Sequence, residues 1–247
     1  MTAGGPVKAV MAQTRIELVL TLRRGESVLL TFAIPVLLLG FFSLVDVLPT
    51  DTKQSVDFLV PGVLALAVMS TAMVSLAIAT GFERSMGVLK RLGATPLTRP
   101  QLLAAKTISI LAIEALQVVV LLVEGFALGW RLHGGNLPLA LAAMVLATIG
   151  FAGLGMLMAG SLPALTTLAA ANGIYFVLLL LGGMVVPLAK LPSGLEWIAK
   201  GLPAGALSQA THGALGAGGS VPTSAWLVLL AWAVVAPALG AWRFRWE

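Results

Sequence analysis

Two carboxylates lie within a long apolar stretch of the sequence, where a charged group is costly. Glu114 and Glu124 fall in the predicted span 107–130, with Gln117 between them. A charge at this depth costs on the order of 3 kcal/mol, so it usually faces a helix bundle or a wet cavity. At about 100° per residue, Gln117 and Glu124 share a helix face and Glu114 lies beside it. This polar stripe either lines a transport path and contacts a cationic substrate, or is structural.

Polar and small residues in the next apolar stretches allow two interpretations. Asn172 is a further candidate for the substrate path, in the predicted span 165–187. Small residues also let helices approach closely in lipid. By that criterion, the helix-packing candidates are Gly150, Gly153, Gly155, Ala159, Asn172, Gly173, Gly182 and Gly183.

Other kinds of chemistry find little support in the sequence. It contains no cysteine, which excludes disulfides, thiolate metal sites and cysteine nucleophiles. Its two histidines, His133 and His212, are predicted in external loops and are too few to indicate a zinc site. No phosphate-binding loop occurs, and Lys106 follows two alanines where such a loop would need glycine. We therefore predict no enzymatic activity, no metal and no cofactor on this chain.

A basic segment between two apolar stretches is the most informative motif. Residues 83–97 predict a short helix with Leu89 and Leu92 on adjacent faces, followed by a Thr-Pro stop. Thr98 can cap the next helix, with Pro100 tolerated in its first turn. Such a helix can transmit force from a partner protein. Alternatively, the basic loop only fixes the orientation of the chain in the membrane.

The spacing of this segment resembles the one after the second span in ABC type-2 permeases, the daunorubicin-resistance and polysaccharide-export class. The resemblance rests on Glu83, Arg84, Gly87, Leu89, Leu92 and Pro96. It implies that these six residues belong to a coupling helix that docks on a separate nucleotide-binding ATPase subunit, which carries the ATP and magnesium. It also implies pairing with a second copy or a similar permease. The implied activity is export of a lipid-like, amphiphilic or drug substrate through the bacterial plasma (inner) membrane.

Membrane helices must position all of these residues. The 247 residues are 59% hydrophobic and 10% charged, whereas a soluble domain carries about 25% charged residues. A helix needs about 20 apolar residues to cross the membrane. We predict one all-α domain, residues 1–247, with six spans: 28–47, 58–81, 107–130, 138–160, 165–187 and 222–242.

The distribution of Lys and Arg predicts the orientation. Eleven of them lie at the termini and in the coupling loop 83–106, and four lie on the opposite side. Because cytoplasmic loops carry the excess of Lys and Arg, both termini and this loop are predicted to be cytoplasmic.

Two further segments predict helices outside the spans. Val7, Met11, Leu18 and Leu22 recur at helical spacing, which predicts an amphipathic helix over 6–26 in the cytoplasmic interface. The alternative is a poorly ordered tail. Prolines punctuate the 188–217 segment, and its apolar half-length helices are predicted to be re-entrant or packed across the outer mouth.

Two other functions remain open from the sequence. One is a secondary transporter driven by protons through Glu114 and Glu124, although the sequence shows no obvious inverted repeat. The other is a non-transporting membrane scaffold, for which the 83–97 motif would be unnecessary.

Overall fold

The computed structural model describes residues 5–23, 25–45, 55–132, 134–216 and 219–246. Within these ranges the chain forms helices and no strand, which confirms the all-α prediction. The first half contains α1 Pro6–Arg23, α2 Gly25–Leu44, α3 Ser55–Met69, a π-helical segment Ser70–Ser75, α4 Leu76–Ser85 and α5 Val88–Gly93. The second half contains α6 Arg99–Ala127, α7 Leu137–Ser161, α8 Ala164–Leu181, a 3-10 turn Leu188–Lys190, α9 Ser193–Gly201, α10 Pro203–Leu215 and α11 Thr223–Arg243.

Five helices in the described residues are long and apolar enough to cross a membrane. They are Val56–Ser85, Arg99–Ala127, Leu137–Ser161, Ala164–Leu181 and Thr223–Arg243. They correspond to the predicted second to sixth spans. The first predicted span, 28–47, falls on α2, whose described apolar part is Thr31–Leu44 and is shorter than a full span. Its crossing of the membrane therefore stays a prediction.

Both helices that flank the coupling segment extend beyond their apolar runs. Within the predicted segment 83–106, α4 continues to Ser85 and α6 begins at Arg99, directly after the predicted cap Thr98. Polar side chains in these extensions contact the bundle: Arg84 bonds to the Leu162 carbonyl, and Lys106 bonds to Glu17 and Glu83. The connection between the two spans is correspondingly shorter.

Local signals do position the helix ends. The backbone N–H of Thr98 donates to Gln101 Oε1 at 2.9 Å, and the Thr98 side chain accepts from the Gln101 backbone N–H, which confirms the predicted cap of α6. Asn136 Oδ1 accepts from the backbone of Leu139 at 3.2 Å at the start of α7. The break predicted between the spans 138–160 and 165–187 lies at Pro163, which separates α7 from α8. Arg24, Lys53, His133 and the predicted end of the first span, residues 46–47, lie outside the described residues.

Small residues of α7 allow its close packing against neighbouring helices. A Cβ atom on Gly153 would lie 2.3 Å from the Pro237 nitrogen of α11, and one on Gly155 would lie 2.9 Å from the Met73 carbonyl. The packing interpretation of these glycines is therefore confirmed. Gly173 of α8 has open space where its Cβ would point, with no described residue within 4 Å.

His212 joins the short helix α10 to the first turn of the second span. Its Nε2 lies 3.1 Å from the Phe58 carbonyl and its Nδ1 lies 2.8 Å from the Ser208 carbonyl. Its ring also packs on the Phe58 ring at a centroid distance of 4.5 Å. Burial lowers the pKa of His212. The contacts with the Ser208 and Phe58 carbonyls favour the charged form and raise the pKa, but their effect is smaller than that of burial.

This arrangement predicts a loss of stability in mild acid. Because the folded state holds a lower pKa than the unfolded state, stability is complete above about pH 6.5 and falls as pH drops toward the folded pKa, by at most about 1.4 kcal/mol per pH unit. Thermal unfolding of the detergent-solubilised protein between pH 7.5 and 5.5 measures this. The variant His212→Gln should lose part of that pH dependence, and an unchanged slope would contradict the assignment.

Candidate functional site

A cavity of about 750 Å³ opens among α1, α2, the second span, α6 and α8. Its volume lies within the roughly 300–1,000 Å³ typical of small-molecule sites. Apolar side chains form most of its wall, and polar ones gather at one end and along the middle. The polar lining includes Glu17, Glu83, Lys106, Thr31, Thr71 and Asn172.

A buried ion cluster forms the polar end of the cavity. Lys106 Nζ donates to Glu17 Oε2 at 2.9 Å and to Glu83 Oε2 at 2.7 Å. The Lys106 side chain is only 1% exposed, and both carboxylates are buried. Glu17 is held further by Gln13, whose Nε2 donates to Glu17 Oε1 at 2.8 Å. The cluster therefore joins α1 to the ends of the second and third spans.

The middle of the cavity is lined by the π-helical segment Ser70–Ser75. A π-helical turn interrupts the regular α-helical hydrogen-bond pattern, and such turns are frequent at functional sites. Thr71 Oγ1 donates to Gln117 Oε1 at 3.3 Å, and Gln117 Nε2 donates to the Thr31 carbonyl at 2.8 Å. Gln117 thus stands behind the cavity wall and ties α2, the second span and α6 together.

The predicted path residues do not share one surface. Asn172 lines the cavity, with its Nδ2 donating to the Leu168 carbonyl at 2.8 Å. Glu114 is buried and accepts a hydrogen bond from Thr148 of α7, away from the cavity lining. Glu124 is half-buried beside Gly40 of α2. The proposed role of these carboxylates in transport stays a prediction.

The predicted coupling residues divide into a buried and an exposed group. Leu89 is fully buried and Leu92 is partly buried against the core, while Pro96 is exposed. Arg84 Nη2 donates to the Leu162 carbonyl at 2.8 Å. Gly87 has φ 72°, a conformation that favours glycine in the turn from α4 to α5.

The burial of these residues redefines the surface available to a partner. Leu89 and Glu83 are buried in this chain, and their coupling role stays a prediction. Met86 is 62% exposed, and Val88, Lys90 and Arg91 are exposed as well. A partner that docks on this segment therefore meets these side chains first.

Comparison with protein families identifies the bundle. The model of the ABC-2 type transporter family matches residues 8–211, from α1 through most of α10. The chain belongs to the ABC-2 type transporter family. No curated protein matches the chain. This ABC-2 permease is thus a multi-pass membrane subunit of an ABC transporter, and the resemblance drawn from residues 83–97 is confirmed.

Two residues of the ion cluster in this ABC-2 permease, Glu17 and Lys106, are not among the site residues that the sequence predicts. One signal was available: Glu17 is nine positions after Lys8, which places it about 180° away around the helix. A carboxylate opposite the basic residues of an amphipathic helix indicates a polar inner contact. For metals, the described part of the chain has no group of three or more His, Asp or Glu that could hold an ion.

Proposed function

We propose that this ABC-2 permease exports an amphiphilic or lipid-like substrate from the cytoplasm, powered by a separate ATPase subunit. The observation that carries this proposal is the cavity with an ionic end and an apolar body. An amphiphile would place its polar group near Lys106 and Glu83 and its apolar part along Ile34, Val74 and Ile110. The volume of about 750 Å³ suits a substrate of drug or lipid-headgroup size.

The ion cluster supports the transmission of force to this cavity. Glu83 lies two residues before the end of α4, from which a turn leads into α5. It contacts Lys106, and Lys106 contacts Glu17 of α1. A displacement of the exposed 86–91 surface by an ATPase would therefore reach three elements of the cavity wall together. ATP and magnesium would bind only to the partner, because this sequence has no phosphate-binding loop.

Pairing with a second permease is part of the same proposal. The α8 helix exposes Phe176, Val177 and Leu180, next to Asn172 and Tyr175 of the cavity. A second copy or a similar permease covering α8 would close the cavity on its open side. In this arrangement both termini and the 86–98 connection face the cytoplasm, and the complex resides in the bacterial plasma membrane.

The placement of Glu114 argues for ATP rather than protons as the energy source. A proton pathway needs carboxylates that water or substrate can reach. Glu114 is buried against Thr148 and does not line the cavity, and Glu124 does not line it either. The secondary-transporter alternative therefore has less support than the ATP-driven one.

A cavity-filling substitution tests the proposal. Ala79 lines the cavity from α4, so Ala79→Trp should reduce transport by about tenfold or more, because the indole fills volume that the substrate needs. The matched control is Ala115→Trp on the exposed side of α6, which should leave transport within about twofold, since a lipid-facing Trp removes no cavity.

Both variants would be reconstituted in vesicles with the ATPase subunit. ATP-dependent movement of ethidium and of a fluorescent phosphatidylcholine would be measured, together with the amount of assembled complex. Equal transport by both variants would show that this cavity is not the path. Transport by the permease without its ATPase would refute the division of labour.

A further inference from the structure

Helix α1 is amphipathic with its polar face turned toward the protein. Gln13, Thr14 and Glu17 are buried, and Thr14 Oγ1 donates to the Ala105 carbonyl of α6 at 3.3 Å. The opposite face exposes large apolar side chains, with Met11 at 67% exposure. The other exposed apolar residues of this face are Val7, Ile16, Val19 and Leu22. An outward apolar face of this extent indicates contact with something other than water.

Three cations lie on this same outward face. Lys8, Arg15 and Arg23 are all exposed. At about 100° per residue, Lys8 and Arg15 lie within about 20° of each other around the axis, and Arg23 within about 60° of Lys8. The one acidic residue of α1, Glu17, points the other way and is paired with Lys106. The outward face therefore carries positive charge without any anion of its own helix.

We propose that the outward face of α1 binds the head groups of acidic phospholipids. The apolar side chains would enter the boundary between head groups and acyl chains, and the three cations would contact lipid phosphates and acidic head groups. Apolar residues on both sides of the cations match a lipid surface, which offers negative charge and hydrocarbon within a few ångströms. An acidic protein surface offers the charge without the continuous hydrocarbon.

Lipid binding at this face would also affect the cavity. The same helix contributes Glu17, Leu20 and Thr21 to the cavity wall, and Glu17 is fixed to Lys106. An acidic lipid bound to the outer face of α1 would therefore also restrain the cavity wall that the inner face of α1 forms. This places a lipid-sensitive element beside the ionic end of the cavity.

The test compares two pairs of arginines on the full chain. Arg15→Gln with Arg23→Gln removes two cations of α1, and the matched control, Arg243→Gln with Arg245→Gln, removes two exposed cations at the end of α11. Native mass spectrometry of the detergent-solubilised protein would measure the retention of dioleoylphosphatidylglycerol relative to dioleoylphosphatidylcholine. Thermal unfolding in phosphatidylcholine would show that each variant is folded.

The wild type should prefer phosphatidylglycerol, and added salt should weaken that preference. The α1 pair should lower it by about 25-fold, at roughly fivefold per arginine. The α11 pair should keep most of it. If both double variants lost the preference for phosphatidylglycerol equally, the preference would depend only on the overall charge of the protein, and the proposal would be overturned. The proposal would also be overturned if the wild type showed no lipid preference and the α1 double variant failed to co-purify with the ATPase. The outward face would then bind a protein partner.

Discussion

Replacing Lys106 with Met is expected to destabilise the solubilised permease by about 3–5 kcal/mol, because two carboxylates are left buried without their shared cation. Glu17 and Glu83 both lie at hydrogen-bonding distance from Lys106 Nζ, and all three side chains are buried. Removing the ammonium leaves Glu17 and Glu83 to repel each other in a medium that screens charge poorly. Thermal or denaturant unfolding of the purified protein measures the loss.

The surroundings of Lys106 supply a compensating variant. Adding Glu17→Gln and Glu83→Gln to Lys106→Met removes all three charges while keeping the side-chain volumes similar. This triple variant should recover most of the stability, since a buried ion cluster is often replaceable by neutral groups although a broken one is costly.

The matched control is Lys200→Met in the pair Lys200–Glu196, where the Lys200 side chain is 50% exposed. An exposed pair of this kind contributes at most about 1 kcal/mol, so this variant should be nearly silent. If Lys106→Met were equally silent, the ion cluster would not hold α1 to the spans. A triple variant less stable than the single one would mean that the carboxylates have other essential partners.

The ion cluster marks the limit of what the sequence predicts here. Lys106 is 89 residues from Glu17 and 23 residues from Glu83, so no helical periodicity relates the three. The apolar pattern also assigns Lys106 to a loop, since a lysine at the edge of a span is typical of the membrane boundary. Only the tertiary packing of α1 on α6 turns this boundary lysine into a buried bridge.

Local signals were sufficient where the physical cause is local. Thr98, Pro100 and Gln101 determine the start of α6 within one turn, and Pro163 determines the break between α7 and α8. Sequence spacing alone did not determine whether the Leu89 side chain is buried or exposed. The sequence predicts only that Leu89 and Leu92 lie on adjacent helix faces, and the structure buries Leu89 where α5 follows the turn at Gly87. The cavity itself depends on five elements and could not be derived from any of them alone.

Replacing Gly153 with Leu is the second change with a large expected effect. A Cβ at this position would meet backbone atoms of α11, with the Ala236 carbonyl carbon at 2.5 Å and the Pro237 nitrogen at 2.3 Å. Backbone atoms have no alternative rotamer, so α7 and α11 must separate. Gly240 of α11 lies at the same contact: a Cβ atom added to Gly240 would lie 2.9 Å from the carbonyl oxygen of Gly153. We expect a loss of about 3 kcal/mol or more, at the upper end of overpacking effects.

Gly173→Leu is the matched control because it makes the same chemical change in the middle of another predicted span, where the hypothetical Cβ meets open space. Leu is a better helix former than Gly by up to about 1 kcal/mol, and this gain applies to both variants. Thermal unfolding of the permease solubilised in detergent as a single chain, without the proposed partner over α8, should therefore show Gly173→Leu equal to or above the wild type and Gly153→Leu far below it. Equal stabilities would mean that α11 tolerates displacement from α7. A loss of stability in Gly173→Leu that is confined to the paired permease would show that this face of α8 is covered in the assembly, which the proposed second permease explains and lipid does not.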